Sequence, residues 1–173
     1  MNIHQFNMQF NPEEDRILFR LNTIHKEEFR FFFTRRFIKL LWSVLIQMLE
    51  HEYKIREPEK AYMARDLAEF EHESIISDAN FHKEYSEKSE TFPIGKEFVL
   101  LTGIKVKQGP QGNILCLFGF NGKGIEFQVD NRFLHVFCEL LKNVINKADW
   151  ELDFIFGEKR EDQAKPVTNR VLH

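Results

Sequence analysis

Residues 27–42 read EEFRFFFTRRFIKLLW, and a change of period within them sets the architecture. Phe29, Phe31 and Phe33 alternate with Arg30 and Phe32, the period-two pattern of a strand buried on one face. Phe37, Leu40, Leu41, Val44, Leu45 and Met48 then recur at i, i+3, i+4, i+7, i+8 and i+11, one buried face of an α-helix. Thr34 stands between the two patterns and is expected to be the N-cap, because its hydroxyl can accept from a free amide of the first turn. Arg35 and Arg36 become the first two helical residues, where the helix dipole favours acidic side chains instead.

The junction recurs. Shifted by 96 positions, the chain from Asp15 lies over the chain from Gln111, with Phe31 on Phe127, Arg36 on Arg132, Phe37 on Phe133 and Leu45 on Leu141. Asp130, another capping residue type, falls on Thr34. Each copy reads as three strands and a helix. In the first, Phe6, Met8 and Phe10, then Ile17, Phe19 and Leu21, then Phe29, Phe31 and Phe33 alternate around turns at Asn11-Pro12 and His25-Lys26. In the second, the turns are Gly109-Pro110-Gln111-Gly112 and Asn121-Gly122-Lys123-Gly124, both suited to hairpins. The expected fold is α+β: an internally duplicated β-β-β-α unit whose antiparallel sheets pack on two main helices, with an acidic helical insert between the copies.

The corresponding segments are 1–50 for the first unit, 51–97 for the insert, 98–157 for the second unit with an edge strand, and 158–173 for a mobile tail. The net charge of −3 is unevenly spread. Residues 1–49 carry 7 basic and 5 acidic residues, residues 50–97 carry 7 and 13, and residues 98–173 carry 10 and 9. Within the insert, Pro58 opens an expected helix over 58–77 with a narrow stripe of Met63, Leu67, Phe70 and Ser74, followed by an extended charged connection over 78–97. Trp150, Leu152, Phe154 and Phe156 alternate as a last strand.

Composition points away from several classes of function. No signal-peptide pattern or membrane-length apolar run is present, so the cytoplasm is the expected location. Two cysteines, Cys116 and Cys138, sit in apolar runs as packed thiols rather than nucleophiles. Glu69 and His72 form a helical Glu/His pair, but di-metal bundles need two such pairs, so this one reads as a solvated face. The run GFNGKG lacks the Lys-Ser/Thr ending of a phosphate loop and reads as a hairpin turn. The expectation is a protein that is not an enzyme and uses no cofactor or metal.

Alternation places a different chemistry on the face turned away from the helices. Arg20, Arg30 and Phe32 of the first copy, and Lys105, Lys107 and Phe118 of the second, share that face. Basic groups track phosphates and aromatic faces stack on unpaired bases, so the set suits single-stranded DNA or RNA. Arg35, Arg36 and Arg132 add cations at helix starts, where free amides attract anions; a salt bridge to Glu27 or Glu28 is the structural alternative. The acidic insert, with its excess of carboxylates, is a candidate to compete for the same face. A rival reading follows from Ile38, Trp42 and Ile46, a second apolar stripe on the first helix that needs a partner. Such a partner is the other helix, the insert or another subunit; in the last case the protein is a homo-oligomeric or protein-interaction scaffold.

The stretches MNIHQ, FFFTRRFIKLLW and RFLHVFCELL together resemble a family of small uncharacterised proteobacterial proteins, a resemblance that covers most of the chain and implies no activity. In topology the repeated unit is similar to the Whirly single-stranded DNA-binding fold. That fold has four strands per repeat where three are legible here, and its sequence motif is absent.

Overall fold

In the computed structural model, which describes residues 3–77, 85, 89–109 and 112–152, a single sheet organises the chain. Its strands are β1 (Ile3–Asn11), β2 (Arg16–Thr23), β3 (Glu28–Phe33), β4 (Val99–Gly109), β5 (Gly112–Gly119) and β6 (Gly124–Val129), in spatial order one to six. The helices are α1 (Arg35–Arg56), α2 (Ala64–Ser77) and α3 (Asn131–Ala148). The sheet is mixed rather than a pair of antiparallel sheets. β3 and β4 run parallel at the centre, joined by Phe31 opposite Val99 and Phe32 opposite Leu100, and every other pairing is antiparallel.

Each element of the second half starts 96 residues after its counterpart: β1 with β4, β2 with β5, β3 with β6 and α1 with α3, within the variation of strand ends. The helix starts agree atom for atom. Thr34 Oγ1 accepts from Phe37 N at 3.1 Å, and Asp130 Oδ1 accepts from Phe133 N at 2.7 Å. These caps satisfy amides that have no intrahelical carbonyl, which is why each strand hands over to a helix at that residue.

One face of the sheet carries the core. Ile17, Phe19, Leu21, Phe31 and Phe33 meet Leu115, Leu117, Phe127 and the helices with almost no exposure. Phe19 is central, its ring lying 5.1–6.4 Å from those of Phe6, Phe31, Phe33 and Phe137. The Phe133 ring touches Phe6 of β1 at 5.0 Å and Phe127 of β6 at 5.5 Å. One side chain of α3 therefore bridges the two edge strands, so the sheet coils around the helix rather than staying flat. Past α3, Trp150 is buried against Phe10 and donates its indole N–H to Asp15 Oδ1 at 2.6 Å.

Local expectations fail at three places. The first helix runs on to Arg56, and the stretch from Pro58 to Met63 is a 3-10 turn with Lys60 at φ −108°, so α2 begins only at Ala64. The expected stripe divides: Met63 is 37% and Phe70 76% exposed, while Leu67 packs inward as expected, together with Ala64 and Ala68, toward α1 and α3. Small side chains let a helix lie close, and this helix uses them in place of bulk. Among the described residues Trp150 and Leu152 form no strand; Phe154, Phe156 and the tail 158–173 lie outside the described residues.

Candidate functional site

The face of the sheet turned away from the helices carries the expected rows. Pairing sets Arg20 beside Arg30, Leu18 beside Phe32, Lys105 beside Cys116, Lys107 beside Ile114, and Gly103 beside Phe118. A register shift between Leu101 and Gly103 keeps the lysines of β4 on this face. Its two halves differ in what covers them.

The first half is covered by the chain itself. Glu27 bridges Thr91 in parallel, with Glu28 N donating to Thr91 O at 2.9 Å, and Phe31 pairs with Val99. Four residues of one strand thus face eight of the other, and the surplus arches outward over the sheet as a strap. Rings of this strap lie on guanidinium groups and on Phe32. Phe92 is 4.7 Å from the Arg30 guanidinium and Phe98 5.9 Å, Phe98 stacks on Phe32 at 4.8 Å, and Tyr85 lies 4.8 Å from that of Arg20. The Arg16 guanidinium lies 5.2 Å from the Phe32 ring.

Polar contacts fasten the strap. Arg30 Nε donates to Glu28 Oε1 at 2.6 Å and Arg30 Nη1 to the Lys96 carbonyl at 3.1 Å. Glu28, 3% exposed at its side chain, also accepts from Ser89 Oγ at 2.7 Å, and Lys26 pairs with Glu90. Burial first, then the neighbouring Glu28 carboxylate, pushes the Tyr85 phenol well above its ordinary range. Tyr85, Phe92 and Phe98 thus cover Arg20 and Arg30 with aromatic rings.

The second half of the face is bare among the described residues. The Phe118 ring lies across Gly103, where an added Cβ would stand 2.1 Å from the ring, and remains 38% exposed. Lys105 is exposed beside it, Lys107 pairs with Glu126 at 2.6 Å, and Lys123 reaches the Ile94 carbonyl of the strap at 3.1 Å. The turn between β5 and β6 closes as a hairpin around Gly122 at φ 75°, as its sequence suggests, and displays Phe120 at 98% exposure.

Arg35, Arg36 and Arg132 are exposed at the helix starts and form no ion pair among the described residues. The expected alternative of a bridge to Glu27 or Glu28 is not formed, because Glu28 takes Arg30 and Glu27 accepts from Thr23. The partner stripe is corrected. Ile38 is 0% and Trp42 7% exposed, and Ile46 packs against the core, so the second apolar face of α1 is covered within the chain. Trp42→Glu is therefore expected to destabilise the fold by about 3 kcal/mol or more in a denaturant titration, as a charge buried without a partner.

A second polar assembly lies where α1, α2 and α3 meet, and the sequence reading missed it. His72, taken there for a solvated residue, is half-buried; its Nδ1 lies 3.2 Å from His135 Nδ1 and its Nε2 3.2 Å from Glu139 Oε2. His135 is fully buried, with Nε2 3.5 Å from the Tyr53 hydroxyl. That hydroxyl donates to Glu71, which Arg56 also contacts at 2.7 Å. Glu69, by contrast, is exposed. A signal existed in the sequence: Glu71 and His72 continue the Ala64, Leu67, Ala68 stripe at helical spacing.

Among the described residues no group of three or more His, Cys, Asp or Glu side chains could hold a metal, and no helix is long and apolar enough to cross a membrane. Burial raises both thiols, Cys138 well above its ordinary range, and a protonated buried thiol is a poor nucleophile. No family model, curated protein or solved structure matches the chain.

Proposed function

We propose that the protein is a non-catalytic binding protein whose ligand is single-stranded nucleic acid, held on the outer face of the sheet. The observation that carries this reading is the repeated stacking of flat rings on guanidinium groups across the first half of that face. A nucleobase presents the same flat π-surface, and stacking of this kind is tolerant of sequence. In the second half the exposed Phe118 ring is a platform for one base, and Lys105 is placed to meet the adjoining phosphate. The strap occupies the first half as a base-bearing strand would, leaving the second half as the resting point of contact.

The common 96-residue offset of the elements supports an internal duplication in which an acidic helical insert supplied the strap. After duplication the two outer faces diverged: Arg20 and Arg30 correspond to Cys116 and Glu126. The test is fluorescence anisotropy with labelled DNA and RNA oligomers at low salt. Phe118→Ala is expected to weaken binding about tenfold, and Lys105→Glu to weaken it and flatten its salt dependence. Wild-type protein that binds no oligomer at low salt overturns the reading.

A further inference from the structure

We propose that the base resting on Phe118 is guanine, selected by the Lys107–Glu126 pair that spans the sheet one row away. The inference deepens the nucleic-acid reading and rests on it.

The platform is set by its neighbours. Pairing places Phe118 between Gly103 of β4 and Gly124 of β6. Neither position has room for a side chain: an added Cβ at Gly103 would stand 2.1 Å from the Phe118 ring, and one at Gly124 2.2 Å from the Leu117 carbonyl oxygen. The ring therefore lies over the Gly103 backbone while staying partly open to solvent. A ring held down in this way offers one face to one base.

The next row along β5 is Cys116, which is buried and stands between Lys105 and Glu126. Its small side chain leaves the floor low beside the ring. Over this floor Lys107 of β4 reaches across β5 to Glu126 of β6 at 2.6 Å, and the two side chains are 40% and 56% exposed. The hydrogen bond from Lys107 holds the Glu126 carboxyl below its ordinary range, and the same contact raises Lys107, so both are charged near neutrality. Residues two apart on a strand are separated by about 6.8 Å. A base centred on the ring covers that distance with its own edge and one hydrogen bond of about 2.9 Å.

The pair carries a pattern. Across the sheet it offers an ammonium donor and then the two oxygens of a carboxylate. A carboxylate accepts at about four lone-pair sites, of which Lys107 and the Cys116 thiol take two. Donor, acceptor, acceptor is the order in which cytosine presents its own pairing edge. Guanine is the complement: O6 accepts, N1–H donates and the N2 amino group donates. Adenine would turn an amino group toward the ammonium and a ring lone pair toward the carboxylate. Cytosine would repeat the pattern instead of completing it. Thymine and uracil satisfy the first two positions and set a carbonyl against the second carboxylate oxygen. In a single strand this edge is free to be read. Lys105, exposed on the Cys116 row, offsets the repulsion between Glu126 and the phosphates.

Competition against a labelled oligoadenosine at low salt, with the full chain, tests the selection. One guanine placed in the oligoadenosine should tighten binding about tenfold, one cytosine should not, and one hypoxanthine, which lacks the amino group, should give a smaller gain than guanine. Glu126→Gln changes an exposed side chain and should abolish the guanine gain. A Glu126 that acted only through its charge would instead leave the gain in place and strengthen binding of every oligomer alike. No gain from guanine, an equal gain from cytosine, or a guanine gain that survives in Glu126→Gln overturns this inference and leaves nucleic-acid binding standing. Protein that binds none of the oligomers overturns the binding reading itself, and the inference with it.

Discussion

Phe19→Ala is expected to destabilise the protein by about 3–5 kcal/mol, the range for removing a buried phenylalanine where the surroundings relax only partly. Phe19 has no exposure and its ring neighbours four others, drawn from β1, β3 and α3. The cavity cannot be filled by one neighbour moving, since Phe6 and Phe137 are also fixed against Phe133. A denaturant titration followed by tryptophan emission reads the loss, because Trp150 packs on Phe10 in the same wall. Phe120→Ala, at the exposed hairpin tip, should change stability by less than about 0.5 kcal/mol and serves as the control.

Arg30→Ala should have a large effect of a different kind, because it should be local. The guanidinium is the only basic partner of the buried Glu28 carboxylate among the described residues, holds the Lys96 carbonyl and lies under two rings. Removing it leaves Glu28 with Ser89 and takes away the surface on which Phe92 and Phe98 rest. The cost is about 2–3 kcal/mol, less than for a fully enclosed pair because Arg30 is 28% exposed. Exchange in peptides covering 89–98 should rise well before that of β5 and β6. Glu28→Gln in the same chain should restore much of the stability by removing the unpaired charge, without restoring the strap. Arg30→Lys should rescue poorly, since an ammonium lacks the flat fork that the rings and the Lys96 carbonyl use.

The sheet and both capped helices are legible in the sequence because each strand buries one face. The periods of Phe29–Phe33 and Phe37–Met48 then change sharply at Thr34. The parallel join of β3 to β4 is not legible, since nothing in either strand says which neighbour it takes. The cover of Trp42 and Ile38 stays open in the sequence between the other helix, the insert and another subunit, because a helix apolar on two faces looks the same whether the second cover comes from its own chain or another. The residues of the outer face could be placed by alternation alone, yet their state could not. Arg30 and Phe92 meet across 62 positions through contacts that leave no periodic trace. The same holds for His72 and His135, 63 residues apart and each unremarkable within its own helix.

The central claim is that the outer face of the sheet is the binding surface and that the strap keeps half of it closed. Ultraviolet cross-linking of a photoreactive single-stranded oligonucleotide, mapped by mass spectrometry, tests it most directly. Cross-links should fall on the peptide containing Phe118 in the wild-type protein, and on that containing Phe32 as well in the Arg30→Ala protein. Cross-links confined to α1, α2 or α3, or none in either protein, would contradict the account.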